Sequence, residues 1–112
     1  MGRPSSPQQD EVVVECKGAK NTLLVRVRGD LTLSTAKHFE ATLGQAINGR
    51  KLDIVLELGR VRAIDSRGLR SLLRIANECR GAGRRLRLRR ASAPVRRAIE
   101  WGGLERQLRL RA

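Results

Sequence analysis

The sequence predicts an α/β domain built on a mixed β-sheet of four or five strands with three or four helices, in the order β-β-α-β-α-β-α. Three observations carry this. Apolar and polar residues alternate in several short runs, the spacing between those runs switches to the repeat of an amphipathic helix, and Gly, Asn or Pro punctuates each change. The 112 residues, 40% of them hydrophobic, suffice for one core, and an aromatic fraction of 2% leaves that core to Leu, Val, Ile and Ala. A large aromatic ligand box is not expected.

Residues 1–10 are polar, contain Pro and Ser, and show no periodicity, so a mobile tail is expected there, with the domain occupying 11–112. EVVVECK and TLLVRVRGD read as two strands joined by a turn at Gly18–Asn21. In the second, Leu23, Val25 and Val27 share one face, opposite Leu24, Arg26 and Arg28. From Ser34 the repeat becomes helical. Ala36, Phe39, Leu43, Ala46 and Ile47 form a stripe that Ser34 or Thr35 can cap and Asn48-Gly49 can end.

LDIVLELG places Ile54, Leu56 and Leu58 opposite Asp53 and Glu57, a third strand. After IDSRG, a second helical stripe runs through Leu69, Leu72, Leu73, Ala76 and Cys79, opposite Arg67, Arg70, Arg74 and Glu78, until Gly81 and Gly83. RRLRLRRA alternates again as a strand. Ser92 then caps a short helix with Pro94 in its first turn and a stop at Gly102-Gly103. The ending LERQLRLRA fits a strand or a helix. A hairpin followed by crossovers implies parallel pairing after the second strand. The alternation implies one wet sheet face shared by Arg26, Arg28, Arg85, Arg87, Arg89, Asp53 and Glu57.

The net charge is +13, and residues 60–112 hold +12 of it. Such asymmetry suits an anionic partner. With no Tyr and only Phe39 and Trp101 as aromatics, base stacking lacks support and no specific nucleic-acid partner is expected. Trp101 is expected to pack beside the last helix. The sequence has no apolar run near the roughly 20 residues of a membrane span, and a cytoplasmic protein is expected. Cys16 and Cys79 lack metal-ligand spacing and are expected to be free thiols. One histidine, His38, and no nucleophile–base pair, metal cluster or phosphate-cradling glycine loop argue against an enzyme. Catalytic residues, metal ligands and cofactors are all expected to be none.

Three blocks, VRVRGDLTLSTAKHFEATL, DIVLELGRVRAIDSRGLRSLL and SAPVRRAIEWGGLERQLRL, occur in an order that resembles the STAS family. This is the domain of bacterial anti-sigma factor antagonists, which also forms the cytoplasmic tail of sulphate transporters. The resemblance spans most of residues 12–110, and its specific part is the strand followed by Asp-Ser-x-Gly-Leu at 65–69. It implies a STAS-like fold and an antagonist that binds an anti-sigma factor with serine kinase activity. That kinase would phosphorylate Ser66 and release the partner, and a phosphatase would reverse the switch. The implied contact residues are Asp30, Thr32, Asp65, Ser66, Arg67, Gly68, Leu69, Arg70 and Arg74.

Two segments depart from the common antagonist pattern. Arg67 stands where many members have a second Ser, and Gly29-Asp30-Leu31-Thr32 replaces Gly-Glu-Leu-Asp. A second reading of the same resemblance is a STAS subunit outside sigma-factor control, such as the partner of a phospholipid-transport ABC ATPase or a stressosome-like scaffold. Without the flanking blocks, Asp65-Ser66 would read as an ordinary helix cap.

Overall fold

A computed structural model describes residues 11–108; residues 1–10, where the tail is expected, and 109–112 lie outside them. The first two strands, β1 (Val12–Ala19) and β2 (Thr22–Leu31), form the antiparallel hairpin. Lys20 supplies its left-handed turn residue at φ 55°. After α1 (Ala36–Ile47), β3 (Asp53–Ile64) returns parallel to β2. After α2 (Ser66–Gly81), β4 (Leu86–Arg89) lies parallel to β3, completing a sheet of order β1-β2-β3-β4. The chain continues into α3 (Ala93–Trp101) and α4 (Glu105–Leu108), so the described part of the undecided ending is a fourth helix.

The strand alternation does what it predicts. Leu23, Val25, Val27, Ile54, Leu56 and Leu58 are buried against Phe39 and Leu43 of α1, Leu72 and Ile75 of α2, and Val95 and Ile99 of α3. The opposite face carries the arginines. There Glu57 accepts from Arg26 at 2.8 Å and pairs with Arg89 at 3.4 Å. Asp53 serves the backbone instead, accepting from Arg85 N–H at 3.0 Å. The third strand runs further than LDIVLELG, through a register shift between Arg26 and Arg28 of its partner, and ends at Ile64. That extra length delivers Asp65 to the sheet's end.

Ser92 caps α3, its Oγ accepting from Val95 N–H. Thr35 stands at the start of α1 without capping through its side chain. Its Oγ1 is buried, donates to the Asp30 carbonyl at 2.7 Å and accepts from Thr32 N–H at 3.0 Å, closing the β2–α1 loop on itself.

Two expectations need correction. Leu69 and Leu73 are only half-buried, and the inward face of α2 is instead Gly68, Ser71, Leu72, Ile75, Ala76 and Cys79. Helix α2 is rotated because Gly68 sits on the Leu31 carbonyl, leaving no room for a Cβ. Trp101, expected to pack beside the last helix, is 87% exposed at the end of α3.

The Gly68 contact reverses the sign of an ordinary helix substitution. Gly68→Ala should destabilise by about 1–3 kcal/mol, because the new methyl meets backbone, although Ala in a helix normally gains about 1 kcal/mol over Gly. Urea denaturation of both proteins measures this, and an Ala variant as stable as the wild type would contradict the packing.

Candidate functional site

The site forms where β2 and β3 end side by side, in register at Asp30↔Ala63 and Leu31↔Ile64. Each strand feeds a helix, so the β2–α1 loop and the start of α2 meet there. Asp65 joins them. As the N-cap of α2 its Oδ1 accepts from Gly68 N–H at 2.9 Å, and its Oδ2 accepts from Leu33 N–H in the other loop at 2.9 Å. Its own N–H donates to the Leu31 carbonyl at 3.3 Å. Partial desolvation of the carboxyl works against ionisation. The bonds from Gly68, Leu33 and Arg67 N–H outweigh it and hold Asp65 below the usual carboxylate range.

Ser66 follows as the first residue of α2 and is exposed. Its position at the helix start places any negative charge it acquires beside the positive end of the helix dipole. Arg70, four residues on and exposed, shares its face. Leu69 stands beside them, half-buried. Across the loop tie, Leu33 presents a side chain that is 73% exposed.

Arg67 points elsewhere. Its guanidinium grips Glu40 of α1 with both nitrogens, at 2.9 and 3.4 Å, and donates to Ser71 Oγ at 2.8 Å. Ser71 Oγ donates in turn to Glu40 at 2.5 Å, and Arg74 approaches the same carboxylate at 3.5 Å. This cluster clamps α2 to α1. The bonds from Arg67 and Ser71 hold the Glu40 carboxyl below its ordinary value.

Of the residues expected at a partner surface, Asp65, Ser66, Leu69 and Arg70 come together at the turn, with Thr32 in the adjoining loop. Asp30 accepts from Arg62 at 3.3 Å, its carboxylate side chain only 13% exposed. Gly68 is buried and serves packing. Arg67 and Arg74 belong to the Glu40 clamp, although Arg74 remains exposed. Leu33 and Glu40 were missed by sequence reasoning. For Leu33 the signal was an apolar residue beyond the end of β2, among Thr and Ser; for Glu40 no local pattern marks a partner 27 residues away.

A family profile described as "Mlab, STAS domain" matches residues 9–111, and the chain belongs to this STAS-domain family. No match was found among curated protein sequences. The fold is similar to that of the anti-sigma factor antagonist SpoIIAA in its unphosphorylated form (21% identity, 86% of this chain and 85% of that one, TM-score 0.73). It is also similar to an anti-sigma factor antagonist from Mycobacterium paratuberculosis (22% identity, 94% and 87%, TM-score 0.76). A third likeness is to the Bacillus cell fate determinant SpoIIAA in its phosphorylated form (20% identity, 86% and 88%, TM-score 0.69).

The Glu40 clamp makes stability depend on pH in a definite direction. A carboxylate whose pKa is lower folded than unfolded adds stability that is complete above its unfolded value, about 4.3 for Glu, and vanishes as pH falls through the folded value. Glu40→Gln should therefore melt below wild type at neutral pH and converge on it as pH drops from about 4. Melting curves across that range test this; a gap independent of pH would contradict the clamp.

Proposed function

We propose that this chain is an anti-sigma factor antagonist that acts by protein–protein binding rather than turnover. Its binding surface is the Asp65–Leu69 turn with Arg70 of α2 and Thr32 and Leu33 of the adjoining loop. Its partner is a cytoplasmic anti-sigma factor with serine kinase activity. The observation that carries the reading is Ser66, exposed at the first position of α2 on a turn where Asp65 ties the β2–α1 loop to the start of that helix.

The switch is phosphoryl transfer from ATP to Ser66 Oγ by the partner kinase, with loss of the hydroxyl proton, reversed hydrolytically by a phosphatase. The phosphate adds about −1.5 to −2 charges to a surface that must fit a partner closely. Repulsion and desolvation there weaken binding. The helix start and Arg70 receive the charge without disturbing the core. Arg67, held by Glu40, is not required for this, so its presence in place of a second Ser leaves the mechanism intact.

A second reading keeps the STAS domain and the same turn but gives it another partner, the ATPase of a phospholipid-transport complex. The partner recovered decides between them. In a pull-down from the source cells, wild type and Ser66→Ala should both retain a kinase-type anti-sigma factor. Ser66→Asp should lose it, and phosphopeptide mass spectrometry should find phosphate on Ser66. Equal recovery of one partner by all three proteins, with Ser66 unmodified, would eliminate the switch. Recovery of a transporter ATPase would replace the antagonist reading.

A further inference from the structure

We propose that a recess around Arg28, Arg60 and Arg90, on the open face of the sheet, binds a phosphate group. This face lies on the side of the sheet away from the core, and the proposal is independent of Ser66.

The recess has a volume of about 370 Å³ and is lined chiefly by Arg26, Arg28, Arg60 and Arg90, with Glu15 and Glu57. Glu57 is already engaged by Arg26 and Arg89, and Asp30 by Arg62. Among the described residues no carboxylate forms an ion pair with Arg28, Arg60 or Arg90. Arg28 and Arg60 nevertheless stand directly opposite each other in the β2–β3 ladder. Like charges in that arrangement are destabilising. The adjoining recess, about 330 Å³, is lined by the same two arginines and Arg62, with Glu11 and Val13.

The backbone is specialised at the same spot. The ladder shifts register on both sides of the Arg28–Arg60 pair. Arg90 adopts a left-handed φ of 54°, which an L residue enters at a cost. Its carbonyl lies where a Cβ on Gly59 would be only 2.7 Å away, so Gly59 permits Arg90 to sit against β3. Nothing in the core requires charge at these positions.

Three unmatched guanidinium groups around a concavity form a receptor for a compact dianion. Each presents a planar fork of N–H donors that fits phosphate oxygens. A phosphate would also remove the repulsion between Arg28 and Arg60. Without an aromatic side chain lining it, the recess has no platform for stacking a base. Recognition therefore rests on the phosphate, carried either by a soluble ester or by a lipid headgroup.

The test compares wild type with Arg28→Gln/Arg60→Gln and with Arg80→Gln/Arg97→Gln, which removes equal charge from exposed positions on α2 and α3. Pyrophosphate titrated at constant ionic strength against 15N-labelled protein probes the soluble source. Co-sedimentation with phosphatidylcholine vesicles containing phosphatidylglycerol probes the lipid source.

Wild type and the Arg80/Arg97 control should bind at least one of the two, with the Arg28/Arg60 variant weaker by about tenfold or more. The soluble arm should show saturable shifts at the Arg28, Arg60 and Arg90 amides. Without phosphate the Arg28/Arg60 variant should melt above wild type, and pyrophosphate should raise only the wild-type and control values if the source is soluble. Binding of neither probe by wild type, equal loss in both double variants, or an Arg28/Arg60 variant that melts below wild type would overturn the proposal.

Discussion

The two oxygens of one carboxylate hold this end of the domain together. Asp65 accepts from Gly68 N–H at the start of α2 and from Leu33 N–H in the loop before α1. One side chain thereby caps a helix and fixes the distance between two crossovers. The rest of the arrangement follows. With α2 started at Ser66, Gly68 faces the Leu31 carbonyl, and only a residue without a side chain lets the helix approach so closely. Ser71 and Arg67 then come within reach of Glu40, which closes α2 onto α1. Ser66 stands outside this network, so on the proposed switch a charge added to it would alter the exposed surface while leaving the frame beneath in place.

Legibility in the sequence followed the range of the forces involved. Strand alternation, the Ser92 cap, the Asn48-Gly49 stop and the Asp65-Ser66 turn are local signals, and the structure contains each of them. The rotation of α2 was not legible, because it is decided by the carbonyl of Leu31, more than thirty residues upstream. A helical repeat that includes Leu69 and Leu73 cannot reveal that glycine and serine take the inner positions.

At the site itself, Asp65 and Ser66 were legible as the cap and first residue of a helix, with Arg70 one turn further on. Arg67 was legible only as a departure from pattern. Its partner Glu40 lies on another helix, and pairing at 2.9 Å turns an apparent surface cation into a fastening between helices. Leu33 escaped notice because an exposed leucine in a loop carries no periodicity. Trp101 was misjudged for the opposite reason, since aromatic character alone suggested packing. The arginine excess divides in the same way. Arg26 and Arg89 share Glu57 as an alternating strand face predicts, whereas the confrontation of Arg28 with Arg60 arises from a register shift that no single strand discloses.

On the proposed switch, Asp65 keeps the turn in one geometry whether or not Ser66 carries a phosphate. Amide hydrogen exchange on the chain with phosphoserine installed at position 66 tests it directly. The Leu33 and Gly68 amides should stay as protected as in the unmodified chain, with chemical-shift changes confined to the turn, the first turns of α2 and the β2–α1 loop. Loss of protection at Leu33 and Gly68 on phosphorylation, or shifts spreading through the strands, would contradict it.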